Sequence, residues 1–278
     1  GFYNPVRVEY EMGDPYVFQH DGRYYYTHSD GNTLTITASD TLSGILFQAP
    51  QAKQVFAGSE QGLTDIWAPE IFFYDGHWYC YFAADINNRN ELHRMYALKS
   101  ATDDALGEWD YVGKIDLPDD QWSIDGTFLE HEDKLYMIWS GWADASVGVK
   151  QSWKQDLYIA RLQDGDPTKV LSDSRVKISE ATYLWENGDL PQNEGPCILK
   201  APGGTVYCLY SANFSGKDNY ALGQLKLTGD PLDAGSWEKA PSPFMATDPD
   251  ADVYSPGHCS VTKSADGKED WLLYHGCK

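Results

Sequence analysis

The stretch Asn193-Glu194-Gly195-Pro196-Cys197-Ile198-Leu199 sets a carboxylate against a Gly-Pro break and follows it at once with an apolar run. Gly and Pro weaken the middle of a strand but suit its first residues. Glu194 is therefore expected where a strand begins, at the rim of a larger body. An ordinary surface glutamate needs no such setting. The same order of residues recurs along the chain with a different polar residue in Glu194's place.

The first block runs from Asp14-Pro15 through Tyr16-Val17-Phe18, turns at His20-Asp21-Gly22 and returns as Tyr24-Tyr25-Tyr26. The second runs from Ala68-Pro69-Glu70 through Ile71-Phe72-Phe73, turns at Asp75-Gly76 and returns as Trp78-Tyr79-Cys80-Tyr81-Phe82. The third starts at Asp125-Gly126, turns around Glu132-Asp133 and returns as Leu135-Tyr136-Met137-Ile138-Trp139. The fourth starts at Glu194, turns at Pro202-Gly203-Gly204 and returns as Val206-Tyr207-Cys208-Leu209-Tyr210. The fifth starts at Ser255-Pro256-Gly257-His258, turns at Asp266-Gly267 and returns as Trp271-Leu272-Leu273-Tyr274. Asp-Gly and Gly-Gly between apolar runs are hairpin signals. Hairpins recurring at roughly 55 to 70 residues fit a radial repeat.

The expectation is an all-β, five-bladed β-propeller forming one domain over residues 1–278. An irregular β-sandwich would explain the hairpins but not the polar residue heading each one. Trp109 and Trp237 read as packing residues of outer strands. The fifth block stops after two strands. A full blade there needs either more chain or an outer strand from residues before Asp14.

Composition narrows the partners. The formal charge of −21 disfavours nucleic acid and anionic membrane surfaces. Aromatic residues make up 14% of the chain, which suits both strands and the covering of sugar faces. No run is long enough to span a bilayer as a helix. The chain opens without a signal peptide, as a trimmed secreted protein would; secretion is the expected location, with the cytoplasm as the alternative. With five cysteines at least one is unpaired in a monomer, the expected state. Simple hairpin registers would set Cys197 opposite Cys208 and Cys259 opposite Cys277, as small buried thiols in preference to cross-strand disulfides.

In a propeller the residues heading the inner strands converge at one mouth of the axis. Asp14, Glu70, Asp125, Glu194 and His258 then form one acidic funnel. Two carboxyl groups so placed can cleave a glycosidic bond, one protonating the leaving oxygen and the other activating water. Burial and neighbouring negative charge would keep one of them protonated near neutral pH. Taken singly, each residue has a plainer reading: Asp14 and Asp125 as turn residues, and Glu194 as a solvated strand end. Their order and spacing together favour the site.

In Gly13-Asp14-Pro15-Tyr16-Val17, Ile66-Trp67-Ala68-Pro69-Glu70, Ser123-Ile124-Asp125-Gly126-Thr127, Asn193-Glu194-Gly195-Pro196 and Ser255-Pro256-Gly257-His258, the sequence resembles glycoside hydrolase family 43. These are five-bladed propellers acting on arabinose- and xylose-containing polysaccharides. The resemblance covers almost the whole chain. It implies Asp14 as general base, Glu194 as general acid, and Asp125 as the residue that orients the acid and raises its pKa. It implies inversion, with base and acid roughly 6.5 to 9.5 Å apart. It also implies a structural calcium or similar ion on the axis near His258, held mostly through water because calcium prefers oxygen.

Trp67 and His258 are expected to meet the sugar, Glu70 to help hold the pocket or bind the sugar hydroxyls, and Trp142 is as readily core as pocket wall. Members also carry an arginine in the last blade, which this sequence lacks after His258. The expected activity is exo-acting release of terminal α-L-arabinofuranose from arabinan or arabinoxylan. A β-xylosidase and an endo-arabinanase are the alternatives within the family. A lectin-like propeller without activity is the alternative outside it.

Overall fold

The computed structural model describes residues 13–47 and 51–277. Nearly all regular structure is strand. Blade one comprises β1 (Tyr16–His20), β2 (Arg23–Ser29), β3 (Thr33–Ser39) and β4 (Gln51–Ala57). Blade two comprises β5 (Thr64–Tyr74), β6 (His77–Asp85), β7 (Arg94–Ser100) and β8 (Trp109–Lys114). Blade three comprises β9 (Ser123–His131), β10 (Lys134–Gly141) and β11 (Asp156–Gln163), with β12 (Asp166–Val170) and β13 (Val176–Ser179) both paired to β11. Blade four comprises β14 (Asn193–Lys200), β15 (Val206–Ala212), β16 (Ala221–Leu227) and β17 (Trp237–Lys239). At the fifth position stand β18 (Gly257–Lys263) and β19 (Asp270–His275), paired only with each other. All these pairings are antiparallel, as expected of successive hairpins.

The hairpin turns follow local chemistry. Asp21-Gly22, Asp75-Gly76 and Glu132-Asp133 each place two consecutive residues at positive φ. That conformation matches the twist of a two-residue hairpin. Trp109 and Trp237 lie on the outer strands β8 and β17, as read from the sequence.

The inner strands β1, β5, β9, β14 and β18 pack side by side in a closed ring. The core is correspondingly split into clusters between neighbouring blades. Phe72, Tyr81 and Met95 of blade two meet Met137, Trp139 and Tyr158 of blade three. Leu34 and Ile36 of blade one meet Ile71 and Trp78 of blade two. Tyr136 and Ile138 meet Cys208 and Tyr210 between blades three and four. Cys197 and Leu209 meet Cys259 between blade four and the last sheet. Val17 and Tyr24 meet Trp271 and Leu273 where the ring closes. Two hydrogen bonds add to that closure: Val17 N donates to Ser260 Oγ (3.2 Å) and Tyr24 Oη to the Lys263 carbonyl (2.8 Å).

The propeller expectation is therefore met with a correction. Four blades are complete, and the fifth position holds a two-stranded sheet among the described residues. Residues 1–12, where an outer strand for that sheet was sought, lie outside the described residues.

The cysteine pairing is also corrected. A register slip in blade four sets Cys197 opposite Leu209 and Cys208 opposite Ile198. The Cys197 thiol instead meets Cys259 across the blade boundary, and all five cysteines are free thiols. Among the described residues no helix is long and apolar enough to cross a membrane.

Candidate active site

A left-handed residue stands in the first half of each inner strand or just ahead of it: Asp14 (φ 54°), Ala68 (44°), Asp125 (56°), Gly195 (54°) and His258 (44°). In β5, β9, β14 and β18 the pairing register slips at that place. These are β-bulges, which bend a strand and re-aim a side chain beside a site. Left-handed backbone costs a non-glycine residue free energy and persists only where the surroundings hold it. Glycine is favoured at 195 on two grounds: its φ, and the His258 ring, which a Cβ would meet at 3.2 Å.

The bulges bring Asp14, Asp125, Glu194 and His258 to one cavity of about 520 Å³. Asp125, Glu194 and His258 are buried, while the Asp14 side chain is 35% exposed. His258 Nδ1 lies 2.9 Å from Asp14 Oδ1. The Gly195 backbone N–H donates to Asp125 Oδ2 at 2.9 Å, tying that carboxylate to the residue after Glu194. Tyr220 Oη donates to Glu194 Oε1 at 2.9 Å. Tyr220 packs so tightly over Gly257 that a Cβ there would overlap its ring, at 1.8 Å.

The electrostatics separate the carboxyl groups. Burial pushes Glu194 up to about 8, and the charge of Asp125 adds to it against the Tyr220 hydrogen bond and His258. Burial also lifts Asp125 to about 6, opposed by His258 and the Gly195 N–H. For Asp14 burial works toward protonation, but the His258 charge and hydrogen bond outweigh it and hold the group near 2. His258 shows the reverse: burial disfavours its charge, yet Asp14, Asp125 and Glu194 together raise it to about 10. Near neutral pH the site thus holds a protonated Glu194 and an Asp14 carboxylate paired with an imidazolium.

Trp67 and Trp142 both lie on the cavity wall. Trp67 lines the cavity, is 37% exposed, and stacks on the buried His93 ring at 3.8 Å. Both His93 nitrogens lie 3.0 Å from backbone carbonyls, those of Asn90 and Asp65, which fixes the plane on which Trp67 rests. Trp142 is both core and wall: it is buried, stacks on Trp122 at 4.9 Å and lines the cavity.

Glu70 departs from the expected sugar contact. It is buried and does not line the cavity; burial pushes it up to about 8, opposed by a hydrogen bond with Thr127. It lies among Tyr16, Cys80 and Cys197 beneath the site, which suits holding the pocket from behind and not contact with the sugar.

The donor set also bears on a metal at His258. No group of three His, Cys, Asp or Glu residues that could hold an ion occurs among the described residues. The His258 Nδ1 is taken by Asp14, so an ion on the axis would reach this ring only through Nε2 and otherwise rest on water.

Sequence reading missed Tyr220 and His275. His275 Nδ1 accepts the Asp14 backbone N–H at 3.1 Å, and its ring stacks on Tyr220 at 5.6 Å. Burial holds the His275 pKa below the ordinary value, with Asp14 opposing, which suits a neutral acceptor. A register rule would have found His275. In an antiparallel hairpin the last residue of the second strand faces the first of the first, and His275 pairs with Gly257. Ser211 faces Glu194 in the same way and accepts the His258 N–H at 2.7 Å.

Comparison with known proteins agrees with this geometry. The family model for glycosyl hydrolases family 43 matches residues 2–278. An extracellular exo-α-(1→5)-L-arabinofuranosidase of Streptomyces avermitilis is 34% identical over 99% of this chain, which spans 56% of that relative's length. An enzyme of the same name from Streptomyces chartreusis is 28% identical over 95% of this chain and 80% of its own. The crystal structure of an α-L-arabinofuranosidase from Lactobacillus brevis superimposes with a TM-score of 0.86 at 31% identity, over 99% of this chain and 85% of that one. By its bulged acidic ring and by this match along its length, the chain belongs to glycosyl hydrolases family 43.

Proposed function

We propose that the chain is an inverting, exo-acting α-L-arabinofuranosidase that releases terminal arabinofuranose from arabinan or arabinoxylan. The observation that carries this reading is that two carboxyl groups face one cavity in opposite surroundings. Burial and the Asp125 charge push Glu194 toward its protonated form, and His258 holds Asp14 toward its ionised form. Glu194 donates its proton to the glycosidic oxygen as the bond to the anomeric carbon breaks. A water on the opposite face of the sugar attacks that carbon and loses a proton to Asp14. Asp14 is a weak base beside His258. As the glycosidic bond breaks, the attacking water becomes acidic, so a weak carboxylate can take its proton. Asp125 serves Glu194 twice, by charge and through the Gly195 N–H.

The relatives' names support arabinofuranose as the sugar and, for both Streptomyces proteins, an extracellular location. The test is product analysis on linear arabinan, branched arabinan, arabinoxylan and a nitrophenyl xyloside, with the anomer followed by NMR. Arabinose as the first product, of inverted configuration, is expected. Early oligosaccharides would make it an endo-arabinanase, and cleavage of the xyloside alone a xylosidase. Binding without release would leave a sugar-binding propeller.

A further inference from the structure

A second cluster of polar groups is buried behind Glu194 and meets the cavity wall only through Asn193, which bonds to Gln155 and Gln192. Glu186, at the end of the 3-10 turn Leu184–Glu186, has no exposed surface. Its Oε1 accepts from Lys239 Nζ (2.7 Å), Tyr210 Oη (2.8 Å) and Asn193 Nδ2 (3.1 Å). Its Oε2 accepts the backbone N–H groups of Thr182 and Tyr183, both at 2.9 Å. Lys239, from the outermost strand of blade four, also donates to the Glu180 carbonyl (2.6 Å) and to Asn193 Oδ1 (3.2 Å).

Asn193 is the residue before Glu194, and every polar group it has is engaged. Its N–H donates to the Gln155 carbonyl (2.9 Å) and its carbonyl accepts from Ser140 Oγ (2.9 Å). Its Nδ2 also donates to the Gln192 carbonyl (3.0 Å), and Ser179 Oγ donates to its Oδ1 (2.6 Å). Strands of blade three and blade four thus converge on one amide. A core needing only stability would use apolar side chains here, because a buried ion pair is weak evidence for stability. Burial works against the charge of both partners. Donors from Lys239, Tyr183 and Thr182 still hold Glu186 below the usual glutamate range, whereas Lys239 stays below the usual lysine range despite Glu186.

We propose that Glu186 is a positioning residue for Glu194: it fixes Asn193, and through Asn193 the bulged backbone that aims the acid. This rests on Glu194 being the proton donor. The role predicts a leaving-group signature. A misplaced acid slows substrates whose leaving group needs a proton and spares those whose leaving group does not. Displacement of a reacting group by 1 Å costs about 100-fold.

The experiment compares an arabino-oligosaccharide with a dinitrophenyl arabinofuranoside for Glu186→Gln, Asn193→Ala and Glu194→Ala. For Glu186→Gln, kcat on the oligosaccharide is expected to fall about 100-fold, the loss set by such a displacement, with KM little changed. Loss on the activated substrate should stay within about threefold, because that leaving group departs without protonation. Asn193→Ala leaves the Glu186–Lys239 pair in place and should give the same signature, so it carries the test if Glu186→Gln does not fold. Equal losses on both substrates, or none, in the folded variant overturn the positioning role when Glu194→Ala keeps its leaving-group dependence. If Glu194→Ala itself loses both substrates equally, the acid assignment falls and the proposal with it.

Discussion

Glu194 belongs to blade four, whose four strands and buried Glu186 cluster lock the residue before it. Asp14 stands at the head of blade one, yet its partners His258 and His275 come from the last sheet. That sheet has two strands among the described residues, and β19 has no fully buried side chain. The two groups proposed to share the chemistry are therefore held in opposite ways. Glu194 is fixed through neighbouring backbone, and its pKa is raised by burial and like charge. Asp14 is fixed by ion pairing across a blade boundary and held down by a cation. An acid must be aimed at one oxygen and stay protonated. A base need only stay ionised beside water, and a charge partner ensures that.

The contrast breaks most visibly at the carboxyl groups themselves. Asp14→Ala and Glu194→Ala should each cut turnover of arabino-oligosaccharides by about 1,000-fold, within the range for loss of a positioned acid or base. Steady-state kinetics on two leaving groups separates them: Asp14→Ala loses both substrates alike, whereas Glu194→Ala spares the activated one. Circular dichroism should show Asp14→Ala folded, since that side chain sits at the partly exposed rim.

The pH profile sharpens the comparison. The proposed mechanism needs Glu194 protonated, so activity should fall as pH rises through about 8. Asp125→Asn removes a negative neighbour and should move that alkaline limb downward. The mechanism also needs Asp14 ionised, so the acid limb should lie low, near 2. His258→Gln removes the cation and should move that limb up toward the ordinary aspartate range. Limbs that stay in place in these variants would refute the electrostatic division.

Trp67→Ala tests the pocket wall. Loss of the surface resting on His93 should raise KM for oligosaccharides about fivefold, since an aromatic contact is worth roughly 1 kcal/mol. The kcat should change little. The smallest effect is on stability. Glu70 is held near 8 in the folded chain against an ordinary value of 4.5, so the native state binds more protons between those values. Stability contributed by Glu70 is full below about 4.5 and falls as pH rises through 8. Glu70→Gln should therefore raise Tm near pH 8 and leave it unchanged near pH 4, as thermal melts can check.

Much of this was legible in the chain. Asp-Gly turns and alternating apolar runs marked the hairpins, because those signals act within a few residues. The residues heading each hairpin marked Asp14, Asp125, Glu194 and His258 as members of one ring. Glu70 misled because it heads its hairpin in the same way. Two residues past the left-handed Ala68 it points down into the core instead of up into the cavity. A side chain alternates faces with each residue of a strand, so a shift in the bulge moves it to the other side.

Sequence alone determined the repeat, the hairpins and the list of acids, since each is written in neighbouring residues. Only the closed ring decided that His258 pairs with Asp14, that Tyr220 and His275 enter the site, and that Glu186 stands behind Glu194. Those contacts join residues from 7 to 261 positions apart. Distance along the chain carries no signal for them, and charge and burial act only once folding has brought the groups within a few ångströms.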